Sequence, residues 1–192
     1  MGLPAEKRLP AVYADLEAVP AHLVAEIING ELQTLPRPAP KHAKTASFLG
    51  GELHGPYHKG LGGPGGWIIL DEPEIHLGPD VLVPDLAGWR VERMPELPDA
   101  AYFTLPPDWI CEVLSPSTEA VDRADKMPIY AREGVRHAWL LDPLLKTLEL
   151  FALSALSSGR VWTPSGVHRD DARVRAAPFD AIELELALLW AK

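Results

Sequence analysis

Two carboxylates stand where carboxylates are costly. Asp85 closes the run Val81-Leu82-Val83-Pro84, and Glu112 interrupts Trp109-Ile110-Cys111 and Val113-Leu114. An acid in an apolar, strand-like run is unfavourable unless something compensates it. A divalent cation is one compensation that also does chemistry. On a strand, residues two apart share a face, so Glu112 shares its face with Ile110 and Leu114. If the Asp85 and Glu112 strands are neighbours, the two acids converge as a hard, oxygen-seeking cation such as Mg²⁺ requires, with Mn²⁺ as its substitute. Downstream, Asp122, Lys126 and Tyr130 recur every four residues, a spacing that lines one face of a helix.

Each of these residues also has a purely structural reading. Asp after a proline commonly serves a turn. Glu112 could be a buried acid paired with Lys126 or Arg136, and Asp122 with Lys126 at i, i+4 is most simply a surface salt bridge worth about 0.3–0.5 kcal/mol. Tyr130 reads as a packing residue with a bonded hydroxyl. Ser115 and Ser117 lack the Gly-x-Ser-x-Gly setting of a nucleophile and read as turn and cap residues. Cys111, the only cysteine, reads as a buried structural thiol, and no intrachain disulfide can form. His54 and His58 could share a helical ligand face, but Gly55-Pro56 between them argues against a helix there. The glycine-rich 62–66 stretch lacks the Lys-Ser/Thr of a phosphate-binding loop.

The elements that must position these residues are short, because 20 prolines and 15 glycines punctuate the chain. Residues 12–25 read as a short helix. Asn29-Gly30 signals a type I′ hairpin turn between strands at 25–28 and 31–35, which makes Glu26 a strand residue. A helix follows over 42–54, although Gly50-Gly51 weakens it. Strands are expected at 67–70, 74–77, 81–86 and 109–114. The 95–107 stretch is a long connection. Ser117 or Thr118 caps a helix with Glu119 in its first turn, and Pro128 should kink or restart it. Strands at 138–141 and 147–151, a strand near Val161-Trp162 and an apolar stretch over 181–190 complete an α/β chain with a mixed sheet.

With 47% apolar and 23% charged residues in 192, the composition is that of an ordinary globular chain, long enough for one domain spanning 1–192. No window approaches the ~18 apolar residues of a membrane span, and residues 1–10 lack the apolar core of a signal peptide. The reading is therefore a cytoplasmic protein with no membrane partner. A net charge of −9 weighs against a nucleic acid gripped over a long tract, yet bound metal ions would reverse the field locally. Six tryptophans and the apolar 184–190 stretch leave surface that could form a homodimer.

The pattern Pro84-Asp85, Glu112-Val113-Leu114-Ser115-Pro116-Ser117-Thr118, Asp122, Lys126, Tyr130, Gly134-Val135 and Trp139 resembles the Uma-type restriction-endonuclease family of the PD-(D/E)XK nuclease superfamily. Glu26-Ile27-Ile28-Asn29-Gly30-Glu31-Leu32 and His42 resemble that family's opening segment. The similarity covers about 13–152 and leaves 153–192 as a C-terminal extension. The resemblance implies a four- or five-stranded, restriction-endonuclease-like mixed sheet flanked by helices, with a metal-dependent phosphodiesterase site acting on DNA. Asp85 and Glu112 match the motif's acids. The motif's lysine is absent, because Leu114 stands in its place, and Lys126 on the following helix is the residue at the matching substitute position. On this reading Asp85 and Glu112 hold Mg²⁺ and Lys126 assists the attacking water, while Glu26 adds a ligand through water and His42 assists proton transfer.

Three function classes follow: a Mg²⁺-dependent endonuclease, a catalytically silent scaffold or binding protein of the same fold, and a metal-dependent phosphoesterase on a non-nucleic substrate. A nuclease should carry a basic rim, for which Arg90, Arg93, Arg123, Lys126 and Arg136 are the candidates. The phosphoesterase should have a closed pocket too small for a duplex.

Overall fold

The computed structural model describes residues 9–157 and 159–191; most of the 1–10 segment read above for a leader lies outside them. A short helix α1 (Tyr13–Glu17) precedes a hairpin, β1 (Leu23–Ile28) and β2 (Glu31–Pro36). Its turn residues Asn29 and Gly30 adopt φ of 53° and 81°, the left-handed conformation that a type I′ turn demands. The helix expected over 12–25 thus ends at Glu17. Pro20 cannot continue it, and residues from Leu23 onward exchange ladder bonds with β2 instead.

Next come α2 (Pro40–Leu53), a π-type turn (His54–His58), and strands β3 (Trp67–Asp71), β4 (Ile75–Leu77), β5 (Asp80–Leu82) and β6 (Leu86–Arg90). The single strand expected over 81–86 is therefore two, because the chain changes sheets between them. β5 joins a four-stranded antiparallel sheet of order β2-β1-β5-β4, and β6 joins the larger sheet. Pro84 lies in the crossing, where its missing N–H is harmless. The remaining elements are β7 (Trp109–Val113), α3 (Glu119–Val121), a second π-type turn (Asp122–Lys126), α4 (Met127–Glu133), β8 (His137–Asp142), β9 (Thr147–Leu156), β10 (Gly159–Arg169), β11 (Arg173–Val174), β12 (Leu184–Glu185) and α5 (Leu186–Trp190).

The larger sheet has six strands, β10-β9-β8-β7-β6-β3, where four or five were expected; the strand over 86–90 and the return of β10 account for the difference. It is mixed because β7 and β8 run parallel, joined by the α3–α4 crossover, while its other neighbours are antiparallel. Every residue of β7 is buried, as a strand covered on both faces must be. Trp109, Cys111 and Val113 face a core closed by α2 and the C-terminal segment, whereas Ile110 and Leu114 face one closed by α4.

Aromatic rings fill the first core. Phe179 lies edge-on to Tyr57, Trp109 and Trp139 and tilted against Trp67, with centroids 4.7–5.6 Å apart. Gly88 on β6 is required by this packing, since a Cβ there would stand 3.2 Å from Trp109 and 3.3 Å from Trp67. Leu184, Leu186 and Leu189 are buried in the same core, so the apolar C-terminal stretch covers the chain's own sheet. Four of the six tryptophans are buried as well, so most of those rings pack inside the chain, while Leu188 stays exposed.

Phe179→Ala should lower the urea midpoint by the equivalent of about 3–5 kcal/mol with little change in slope, since it opens a cavity among four rings. Retention of most of that stability would refute the ring cluster as the core's anchor.

Candidate active site

The site forms where the two sheets meet. The register pairs Leu86 with Cys111, so the residue before Leu86 stands beside the residue after Cys111, bringing Asp85 next to Glu112. Asp85 does not end a strand, as its sequence setting suggests, but opens one, because the chain has just left the smaller sheet. Its position is fixed by the backbone on either side. Val113 N–H donates to Asp85 Oδ2 at 2.7 Å, and the Asp85 carbonyl accepts from Glu72 N–H at 3.0 Å. Two residues earlier, Val83 N–H donates to Glu26 Oε1 at 2.7 Å, which ties the β1 carboxylate to the same crossing segment.

Lys126 occupies the centre. Its Nζ lies 2.8 Å from Glu112 Oε1, 3.2 Å from Glu26 Oε1 and 3.3 Å from Asp122 Oδ1. All four side chains are buried, with no residue more than 4% exposed, so the Asp122–Lys126 pair is no surface salt bridge. The Tyr130 hydroxyl donates to Glu112 Oε1 at 2.7 Å, as its packing role required.

Three residues spaced four apart on a regular α-helix drift about 40° around the axis at each step. The π-type turn over 122–126, in which Met127 N–H reaches back five residues to the Asp122 carbonyl, is wider and rotates the following residues back. Asp122, Lys126 and Tyr130 therefore all stay in the neighbourhood of Glu112. Pro128 marks a restart, one of the two outcomes expected of it: it falls in the first turn of α4, which follows the π-type turn, where its lack of an N–H is tolerated.

Electrostatics follow from the count of charges. Burial works against the Lys126 ammonium, but Glu112, Glu26 and Asp122 outweigh it and hold the group charged well above its ordinary range. Glu112 is pushed well above the usual carboxyl range by burial, against the pull of Lys126, with Asp122, Asp85 and Glu26 adding to the rise. Burial likewise raises Asp122 against the pull of Lys126. His42, on the first turn of α2, turns Nε2 toward Asp85 Oδ1 at 3.4 Å while Nδ1 is buried without a protein partner. Burial tends to lower this imidazole, yet its hydrogen bond to Asp85 and the charge of that carboxylate raise it overall. The structure thus brings together all seven residues singled out in the sequence: Glu26, His42, Asp85, Glu112, Asp122, Lys126 and Tyr130.

A pocket of about 330 Å³ opens between them, walled by Glu26, His42, Asp85, Glu112, Asp122 and Lys126 and roofed by 35–39 and 115–118. Sequence reasoning missed Arg37 and Glu72 at this pocket, which face each other at 3.5 Å. Arg37 lies in a Pro-Arg-Pro link that the sequence marks only as stiff, and Glu72 is held at φ 45°, for which no sequence signal exists. The expected basic rim is elsewhere. Arg93 and Arg136 bind Asp108, Arg90 stacks on Trp67, and Arg123 binds Glu119 and Glu149; Asp108, Glu119 and Glu149 each take up an arginine, so none but Lys126 walls the pocket. His54 and His58 do lie on one helical turn despite Gly55-Pro56, but both rings bond the Ile69 backbone, at 3.0 and 3.2 Å.

The sequence matches a family described as "Putative restriction endonuclease", Uma2, over residues 11–188. The chain belongs to the Uma2 family. This match runs well past the 13–152 stretch that carries the motif. The crystal structure of a "putative nuclease belonging to DUF820" from Anabaena variabilis superposes on the Uma2 chain with a TM-score of 0.71 at 22% identity, covering 95% of this chain and 98% of that one. That likeness establishes a shared fold. No curated protein matches. No helix among the described residues is long and apolar enough to cross a membrane.

Because three carboxylates share one ammonium and Asp85 adds a fourth nearby, removing one carboxylate charge should stabilise the Uma2 chain. Glu112 binds its proton more tightly folded than unfolded, so wild-type stability falls as pH rises from about 4.5, the usual carboxyl value, through the raised one. Glu112→Gln should accordingly raise the urea midpoint at pH 8, with the gain shrinking as pH falls toward 4. Lys126→Met should lose about 3–5 kcal/mol, because it strands buried carboxylates.

Proposed function

We propose that this Uma2 chain is a divalent-metal-dependent endonuclease acting on DNA, with Asp85 and Glu112 holding the cation and Lys126 as the basic member of the site. The observation that carries this reading is the register that sets Asp85 beside Glu112 on a pocket wall with more carboxylates than cations. Mg²⁺ is commonly held by one or two protein carboxylates, with water and phosphate oxygens completing its shell, so this oxygen donor set fits it. Among the described residues no group of three or more His, Cys, Asp or Glu side chains is arranged to hold a metal ion, so on this reading Asp85 and Glu112 would be its protein ligands and water or phosphate would supply the rest of its shell. When bound there, the cation would polarise the phosphodiester and lower the pKa of a water.

The chain's own residues have distinct tasks. Tyr130 fixes the rotamer of Glu112, and Val113 N–H fixes Asp85. Lys126, charged at every working pH, faces negative charge developing on the phosphate or the attacking water. Glu26 and Asp122 hold that ammonium in place. His42 is positioned to accept or return a proton at Nε2, within reach of Asp85. The pocket admits a phosphate group, and a duplex would lie across its mouth near Arg37.

One observation favours a silent scaffold: three carboxylates already surround the Lys126 ammonium, which can satisfy the site without a metal. Crystals soaked in millimolar Mn²⁺ separate the two readings. Anomalous density between Asp85 and Glu112 is expected, with plasmid nicking in Mg²⁺ that falls at least 100-fold in Asp85→Asn and Glu112→Gln. An empty site, with Glu112 bound only to Lys126 and Tyr130, would leave the scaffold.

A further inference from the structure

A groove of about 740 Å³ lies beside the candidate active site and takes no part in the roles given above. Its walls include Lys41 and Lys44 from α2, Lys146 from the β8–β9 turn, and Trp190 near the end of α5. Residues 41 and 44 are one helical turn apart and lie on one side of α2, while His42 between them turns toward Asp85. The groove and the catalytic pocket therefore flank the same first turn of a single helix.

The basic groups of this groove stand together without the partners that many arginines have. Arg93 is paired with Asp108, Arg123 with Glu119 and Glu149, Arg132 with Asp80 and Glu133, and Arg173 with Glu183 and Glu185. Lys41, Lys44 and Lys146 have no carboxylate within 4.0 Å among the described residues. Lys44 rests instead on the Ala191 carbonyl and over the Phe48 ring, contacts that hold its stem. Asp170 and Asp171 oppose the lysines on the far wall; neither side chain accepts a hydrogen bond among the described residues. Three ammonium groups with no paired carboxylate among the described residues, lining one groove of a chain of net charge −9, offer contacts that a polyanion would use.

We propose that this groove is a docking track for the phosphate backbone of duplex DNA flanking the bond to be cut. The inference rests on the nuclease reading and deepens it by supplying the basic contacts that the expected arginine rim does not. A duplex carries about one negative charge per 1.7 Å of axis, so DNA with one phosphate at the pocket and its axis running past the first turn of α2 would bring others to the lysines. Lysines suit the task, because backbone contacts position a duplex without reading its sequence.

The test is the salt dependence of binding. A fluorescently labelled duplex of about 20 base pairs is titrated with the full chain by anisotropy, Ca²⁺ replacing Mg²⁺ and the duplex checked for integrity on gels. The variant Lys41→Gln/Lys44→Gln/Lys146→Gln should flatten the plot of log affinity against log salt by roughly 2 to 3, about 0.9 for each phosphate no longer neutralised. Lys59→Gln, outside the groove, should leave it unchanged. Asp170→Asn/Asp171→Asn should tighten binding several-fold, a gain that misfolding cannot mimic. Wild-type binding with a slope that neither groove variant moves would overturn the track and leave the nuclease reading standing. Absence of wild-type binding at the lowest salt would overturn both.

Discussion

A charged ammonium buried among carboxylates is the constraint around which the rest of the chain is arranged. Burying Lys126 is tolerable only if several acids reach it, and those acids come from β1, β7 and the segment between α3 and α4. The two sheets are therefore obliged to meet at one point, since Glu26 belongs to one and Glu112 to the other. Pro84 marks the crossing between them. The backbone N–H groups of Val83, just before it, and of Val113, on the neighbouring strand, complete the arrangement by anchoring Glu26 and Asp85.

The count of charges in that cluster is also where stability and activity pull apart. Four acids against one ammonium are more than packing requires, and a core with fewer ionised groups would hold together better. Retaining a destabilising excess of negative charge is what a cation site needs, because the same repulsion favours any positive guest. The lysine-lined groove carries the opposite sign on the other side of α2, so a polyanion and a cation would find separate seats around one helical turn.

Much of this was legible before any coordinates. Alternation placed Glu112 on the face of Ile110 and Leu114, the Asn-Gly turn fixed the first hairpin, and the four-residue spacing of Asp122, Lys126 and Tyr130 located the helix face. The resemblance led from Leu114, where a lysine is missing, to Lys126. What escaped was set by partners distant in sequence. The strand over 86–90 contains a glycine that only the tryptophans packed against it explain. An i, i+4 pair reads the same in solvent or in a core, so the burial of Asp122 and Lys126 had no local sign. The wide turn at 122–126 is decided by what must face Glu112 rather than by local propensity. Arginines proposed as a rim found closer acids at Asp108, Glu119 and Glu149.

The rings of His54 and His58 occupy the outward backbone N–H and carbonyl of Ile69, on the strand that forms one margin of the six-stranded sheet. At the other margin Pro164 removes a donor from β10, and the register slips between Pro164 and Gly166. Open strand margins invite other chains to extend the ladder, and fibrous aggregation begins that way. Here one margin is stoppered by imidazoles and the other is notched. The sheet is thereby kept finite, so copies crowded together in a cell can meet through side chains without templating one another's backbone.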